Sequence, residues 1–472
     1  MKLFDHFLCM RNIRDSYREI LRIAWPLFFL SASTVVMQFC DRKFLGNSST
    51  EEIAAALPAG NLLATLGTFF ISMLSYSNPL TAQFFGAGRK EKCIDVLWSS
   101  FRAALLCAGA MLILLPALGA LLLRLTLNST TFYHAINYFM VQIPGQLMLC
   151  LAAPFFAFYA GRSRTAVVSA VNIGAALLNI LFDWILIFGH WGFPKLGITG
   201  AGIATAVSQT LAALTIIGIV LFVNDQSEYP TRNWRSFDRE LFRKIFFIGG
   251  PSGFQRLNNS LKFTTIILLV GTLGQMALAT TTISLSITMV SFMPLIALTE
   301  SNLILSGQFL GRNECDKAKT TTFHTWTLAL IYTFLAFLGC IFFSRPVIAL
   351  FAPDKPSSEL PFESVAHHAW IVLIIMGFWM LTDSVRYVFG SLLRASGDTK
   401  ALLKISLAVS WGIGIPGFAL LTQWIKPPIY LVWFFFIVVS AAEASMIYLR
   451  FRQGVWRTQK LTHRQNLRRE KN

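Results

Sequence analysis

Apolar residues in this chain come in long unbroken runs rather than in the alternating pattern of a strand or the one-sided stripe of a surface helix. Twelve runs lie near 23–45, 54–80, 98–123, 135–158, 166–189, 198–223, 245–270, 277–306, 323–351, 366–390, 401–424 and 428–449. Each is long enough to cross hydrocarbon about 30 Å thick, which takes roughly 17–25 helical residues. The stretches 103–123 and 201–223 carry no charge at all. Inside a bilayer every backbone N–H and C=O must be satisfied within its own segment or in a closed barrel, and runs this long fit helices. The pattern predicts an all-α polytopic membrane protein with twelve transmembrane helices.

The segments between the runs set the orientation. With both termini placed inside, the inner segments hold 29 of the Lys and Arg residues and the outer ones only seven, namely Arg42, Lys43, Arg124, Lys195, Arg345, Lys355 and Lys426. That asymmetry is a positive-inside assignment, so both termini are expected in the cytoplasm. The expected organisation is a cytosolic N-terminal segment at 1–22, a six-helix lobe at 23–223, a cytosolic linker at 224–244, a second six-helix lobe at 245–450 and a basic cytosolic tail at 451–472. Asn47 and Asn128 head N-x-[ST] sequons on the outer side, where helix capping is the preferred reading.

Composition narrows the function classes. The 472 residues are 55% hydrophobic and 13% charged, with mean hydropathy +0.58; soluble domains run near 25% charged. A net charge of +17 would point to nucleic acid in a soluble protein, but here the bias along the loops accounts for it, and no nucleic-acid partner is expected. The seven cysteines are scattered, odd in number and without CxxC spacing, so neither a disulfide framework nor a zinc site is expected. No phosphate loop, catalytic triad or cofactor motif is visible. The chain reads as a non-enzyme without cofactor.

The chain also repeats itself. Pro26 pairs with Pro251, Leu45-Gly46 with Val270-Gly271, and Gln83-Phe84-Phe85-Gly86 with Gln308-Phe309-Leu310-Gly311, all 225 residues apart. Ser77-Asn78 against Ser301-Asn302 is one residue off, and the stretch 161–165 corresponds to 396–400. Six spans per repeat means both halves enter the membrane in the same sense. Parallel six-helix repeats are an architecture of secondary transporters, with the substrate near the midplane.

These residues resemble the multidrug and toxic compound extrusion (MATE) transporters. The likeness is carried by Trp25-Pro26-Leu27 through Cys40-Asp41 to Leu45-Gly46, by Ala82 through Arg89, by Asn179-Ile180-Leu181-Phe182-Asp183, by Gly192 through Thr205, and by Gly390 through Thr399. It spans nearly the whole chain in order. The resemblance implies a MATE-like fold of two six-helix bundles and efflux of small organic cations, driven by inward H⁺ or Na⁺. It also implies a cation-coupling cluster in the N-terminal lobe, which maps onto Asp41, Asn179, Asp183 and Thr205, with a carbonyl from Ala201. In the C-terminal lobe it points to Asp383, and Glu300 is a further candidate acid. A monomer in a bacterial inner or plasma membrane is expected.

Physical chemistry weighs those acids separately. Placing a charge at the centre of a span costs at least ~2.5–3.5 kcal/mol on insertion scales. Asn179 and Asp183 are four apart and therefore share a helix face. A carboxylate beside a neutral amide and a hydroxyl offers hard oxygens to Na⁺, and a carboxyl pair held away from water is equally suited to a proton. Arg42 and Lys43 depart from the family pattern, because a fixed cation beside Asp41 repels Na⁺; the expectation turns toward protons. Arg386 lies three residues after Asp383 and is placed to neutralise it. Glu443 is read as a packing or interfacial acid beside the basic tail. The second functional reading is a flippase of lipid-linked glycans from the same exporter superfamily, which would want a basic cleft drawn from Arg256, Lys262 and Arg386.

Overall fold

A computed structural model describes residues 2–46, 50–223, 226–352, 361–459 and 461, and these are helical almost throughout, with no strand among them. In chain order the α-helices are α1 (Lys2–Gly46), α2 (Thr50–Leu74), α3 (Ser77–Gly86), α4 (Lys90–Thr126), α5 (Ser129–Gly161), α6 (Thr165–Phe188), α7 (Gly197–Gly218), α8 (Arg239–Lys244), α9 (Gly250–Gly271), α10 (Gln275–Ser291), α11 (Met293–Gly311), α12 (Cys315–Phe342), α13 (Ser344–Ala349), α14 (Phe362–Ser396), α15 (Thr399–Val409), α16 (Ile415–Leu420) and α17 (Ile429–Arg452). Short π-helical turns continue α7, join α8 to α9, and flank α16.

Ten helical segments among the described residues are long and apolar enough to span a membrane, and α10 with α11 adds an eleventh as a pair bent by 43°. The remaining predicted span is α9, which has span length but carries Gln255, Arg256, Asn258, Asn259 and Lys262. Prolines explain the breaks. Pro294 enters the first turn of α11, where it has no N–H to donate and its ring clashes with the preceding turn. The carbonyl of Ser291 at that break is taken up by the Tyr332 hydroxyl at 2.8 Å. Helix α1 runs without a break from Lys2 into the first span. Asn128 stands at the start of α5 in an extended conformation but makes no side-chain cap, and Asn47 lies outside the described residues.

The fold divides into two compact units, Phe29–Leu257 and, jointly, Met1–Phe28 with Asn258–Asn472. In the first, α5 is the hub, packed against α2, α3, α4 and α7. Close approach there needs glycine: a Cβ on Gly145 would meet the Cα of Ala206 at 2.7 Å. In the second unit α14 plays the same part, packed against α10, α11, α12 and α17. Each hub is the fourth span of its half.

The repeat read in the sequence recurs in backbone detail. After α3 the chain turns through Gly88 at φ +70°, and Arg89 N–H donates to Phe84 O at 2.9 Å. After α11 it turns through Asn313 at φ +65°, and Glu314 N–H donates to Phe309 O at 2.9 Å. The second pair is Ser163 at φ +61° after α5, with Arg164 N–H to Tyr159 O at 3.0 Å, and Gly397 at φ +100° after α14, with Asp398 N–H to Leu393 O at 2.9 Å. All four are left-handed helix stops in which a carbonyl otherwise left open is satisfied.

The described part of the stretch between residues 223 and 250 packs onto α4 and α5. Asp238 caps α8, accepting from Glu240 and Leu241 N–H at 3.0 and 3.1 Å, and takes Lys92 Nζ at 3.3 Å. Trp234 packs against Trp98 with ring centroids 4.4 Å apart and planes tilted by 46°, beneath the Arg102 guanidinium. Arg162, one residue past α5, sits 4.0 Å from the Phe158 ring centre and 4.4 Å from that of Tyr229.

Candidate functional site

The first unit brings together the residues that sequence reasoning placed in one cluster. Asp183 and Asn179 lie one turn apart on α6, and both are fully buried. Asp41 reaches them from the last turns of α1 and Thr205 from α7. The Asn179 amide, with its nitrogen turned toward Asp41, donates to Asp41 Oδ1 at 3.1 Å and accepts from the Thr205 backbone N–H at 3.3 Å. The opposite orientation leaves its oxygen facing only acceptors and its nitrogen only donors. Asp183 completes the group, its carboxyl in close electrostatic contact with that of Asp41.

Two carboxyl groups facing each other away from water are suited to holding a proton or a small cation between them. Asp183 Oδ1 is buried and has no hydrogen-bond partner among the described residues. Those residues therefore leave acceptor capacity in the cluster unfilled. Ala201 contributes differently from expectation: its carbonyl accepts the Thr205 hydroxyl at 3.0 Å. Thr205 thus hydrogen-bonds its own helix while its backbone N–H holds Asn179. Lys43 is exposed, and the Arg42 side chain lies outside what is described.

Two residues of this cluster escaped the sequence reading. Tyr138 on α5 lies within electrostatic reach of both Asp41 and Asp183, and Gln142 stands one turn further along the same helix. The ring fits because Gly202 faces it, where a Cβ would stand 3.2 Å away. The available signal was a Tyr and a Gln four apart, which share one face of the span.

In the second unit the acids are arranged differently. Asp383 on α14 is fully buried and accepts a two-pronged bond from Arg386, Nε to Oδ1 and Nη2 to Oδ2, both at 2.7 Å. Its Oδ1 also accepts from Ser440 of α17 at 2.7 Å, and Ser440 in turn accepts from the Trp379 indole at 3.2 Å. Glu443, expected as a packing or interfacial acid, is buried beside this pair. Its Oε1 lies 4.0 Å from Arg386, and its Oε2 accepts from Lys262 of α9 at 3.2 Å. Two acids and two bases thus form one buried, charge-balanced chain. Glu300, half-buried on α11, makes no ion pair or side-chain hydrogen bond among the described residues and is not part of it. No group of three or more His, Cys, Asp and Glu able to hold a metal occurs among the described residues.

Comparison with known proteins agrees with this architecture. The MatE family model matches residues 26–185 and 251–420. The multidrug resistance protein NorM of Photobacterium profundum is 24% identical over 449 residues, 94% of this chain and 96% of its own. The multidrug resistance protein PmpM of Pseudomonas aeruginosa is 26% identical over 437 residues, 88% of this chain and 87% of its own. Among solved structures, a transporter of the MOP superfamily from Pyrococcus furiosus superposes with a TM-score of 0.83 at 17% identity, covering 93% of this chain and 96% of that one. An outward-facing MATE family transporter of the same superfamily gives 0.82 at 18% identity, covering 94% and 97%.

Proposed function

The chain belongs to the MatE family, a family of integral membrane transporters, and from that premise we propose that it is a cation-coupled antiporter exporting small organic cations by alternating access. The observation that carries the reading is the cluster of half-buried Asp41 with buried Asn179 and Asp183. A carboxyl pair sharing a proton in the interior of the first unit can be charged or neutral, and the protein around it responds to the difference. Protonation neutralises the pair, rearranges the end of α1 that carries Asp41, and lowers affinity for bound substrate on the outer side; release of the proton inward resets the cycle. At ~100 mV one charge crossing the membrane supplies about 2.3 kcal/mol, enough to drive a modest concentration gradient. The proposed setting is a bacterial inner or plasma membrane, with the protein monomeric and both termini in the cytoplasm.

Protons are favoured over Na⁺ because two carboxyls facing each other away from water are suited to sharing one, and because Arg42 and Lys43 follow Asp41 in the chain and a fixed cation there repels Na⁺. The second unit lends coupling less support, because its buried acids Asp383 and Glu443 already face Arg386 and Lys262. The same matching weakens the flippase reading, since two of the three basic residues that hinted at a basic cleft are committed to buried acids. The similarity to NorM and PmpM, both named as multidrug resistance proteins, supports drugs as substrates.

The test is drug efflux with simultaneous proton movement in everted vesicles, for wild type, Asp41→Asn and Asp183→Asn, with Na⁺ and pH varied separately. Efflux that depends on pH but not on Na⁺ in wild type, and is lost in both variants, is expected. Unaltered coupled transport in either variant removes that carboxyl from the mechanism.

A further inference from the structure

At the end of α12 and α17 that the charge bias assigns to the cytoplasmic side, the second unit holds a cavity of about 370 Å³, within the ~300–1,000 Å³ range of small-ligand sites. Its walls are of two kinds. Lys319, Arg452 and Arg457 supply cations, and Phe323, Tyr448 and Trp456 supply aromatic surface together with Phe451. No acidic side chain among the described residues lines it.

The aromatic wall is built rather than incidental. The chain leaves α17 through Gly454 at φ +72°, a turn that brings Trp456 back against the helix. Trp456 is 1% exposed, its indole N–H donates to Phe451 O at 3.0 Å, and its ring lies parallel to that of Phe451 with centroids 5.8 Å apart. The neighbouring cations differ in how they are used. Arg450 is spent on Asp398, at 2.7 and 3.3 Å. Arg457 reaches only Asp316, at 3.3 Å, whose side chain is 90% exposed. Neither Lys319 nor Arg452 has an acid within ion-pair distance among the described residues.

We propose that this cavity binds a phosphate-bearing amphiphile, the headgroup of an anionic phospholipid of the inner leaflet. Guanidinium forks fit phosphate oxygens, and an ammonium adds a mobile charge. The aromatic wall takes the apolar part next to the phosphate, as rings do at membrane interfaces. Basic pockets at the cytoplasmic ends of helices are where such headgroups are held. A free phosphate shares the anionic half of this recognition but not the aromatic half, so the lipid is the favoured source.

The experiment uses the full-length protein purified in detergent. Binding of dihexanoyl phosphatidylglycerol, dihexanoyl phosphatidylcholine and inorganic phosphate is followed by native mass spectrometry and thermal shift. Wild type is compared with Lys319→Gln/Arg452→Gln, which keeps the Arg457–Asp316 pair, and with Lys400→Gln/Lys404→Gln, which removes two exposed basic residues at the start of α15, elsewhere in the same unit. Phosphatidylglycerol is expected to bind wild type and the second variant alike, and the first variant at least tenfold more weakly, with phosphatidylcholine weak throughout. Equal binding by both variants, or phosphatidylcholine binding as tightly as phosphatidylglycerol, overturns the site. Inorganic phosphate matching the lipid, with the same dependence on Lys319 and Arg452, upholds the phosphate site and overturns the lipid as its source. Because none of these readouts measures transport, failure here leaves the antiport reading standing, and the reverse holds too.

Discussion

Replacing Lys262 with Met is the sharpest test of the buried charge chain in the second unit. The ammonium lies 3.2 Å from Glu443 Oε2, and the two side chains are 9% and 1% exposed. At that separation and an effective dielectric of 20, the Coulomb attraction is about 5 kcal/mol before desolvation is subtracted. Met keeps the length and apolar stem of the side chain, so little packing is lost. What the substitution leaves is one Arg386 facing both Asp383 and Glu443, a buried site with net charge −1. Removing one partner of a buried pair costs roughly 3–5 kcal/mol, whereas replacing both with apolar groups is often near neutral. Lys262→Met should therefore destabilise by about that amount, and Glu443→Gln by less, because Arg386 remains bonded to Asp383. The double variant should recover most of the loss, giving a coupling energy of about 2–3 kcal/mol. The assay is reversible unfolding of the purified protein in mixed detergent–SDS micelles, read by tryptophan fluorescence. A coupling energy under about 0.5 kcal/mol would mean that the two charges do not depend on each other, and the charge-balanced picture would fall with it.

Other outcomes follow from the same coordinates. Asp383→Asn breaks a two-pronged bond to Arg386 and should cost roughly 3–5 kcal/mol in the same assay, with Asp383→Asn/Arg386→Met recovering most of it. Gly397→Ala forces a side chain into φ +100° and should lose roughly 1–2 kcal/mol, while Ser163→Gly, at the matching turn of the other half, should gain about 1 kcal/mol. Gly145→Val drives its branched side chain into the α7 backbone at Ala206; because neither backbone can yield without unpacking α5, folded protein recovered on size-exclusion chromatography should fall sharply. Asn179→Leu removes the amide that joins Asp41 to Thr205, and efflux should drop at least tenfold with the thermal midpoint moved far less than by Lys262→Met.

The two charge clusters illustrate how much of a site can be read without coordinates. Asn179 and Asp183 were legible because they are four apart in a span with no other charge, and a helix turns that spacing into a shared face. Joining Asp41 to them needed the family likeness, since nothing local relates the end of α1 to α6. Lys262 and Glu443 were each visible as costly charges in apolar runs, yet their partnership spans 181 positions. With that partner unseen, the sequence leaves Glu443 as either a packing or an interfacial acid.

What the chain's own order of residues determined is the set of helices, their number, the doubling of the pattern and the turns that end the hubs. These follow from hydrocarbon thickness, from backbone hydrogen bonds that must close within each segment, and from Gly, Asn, Ser and Pro at single positions. Which buried charges meet was decided only when the helices packed. A hydropathy run records that a charge is expensive, but the group that offsets the expense lies on another helix, and only tertiary structure fixes which face of that helix points inward.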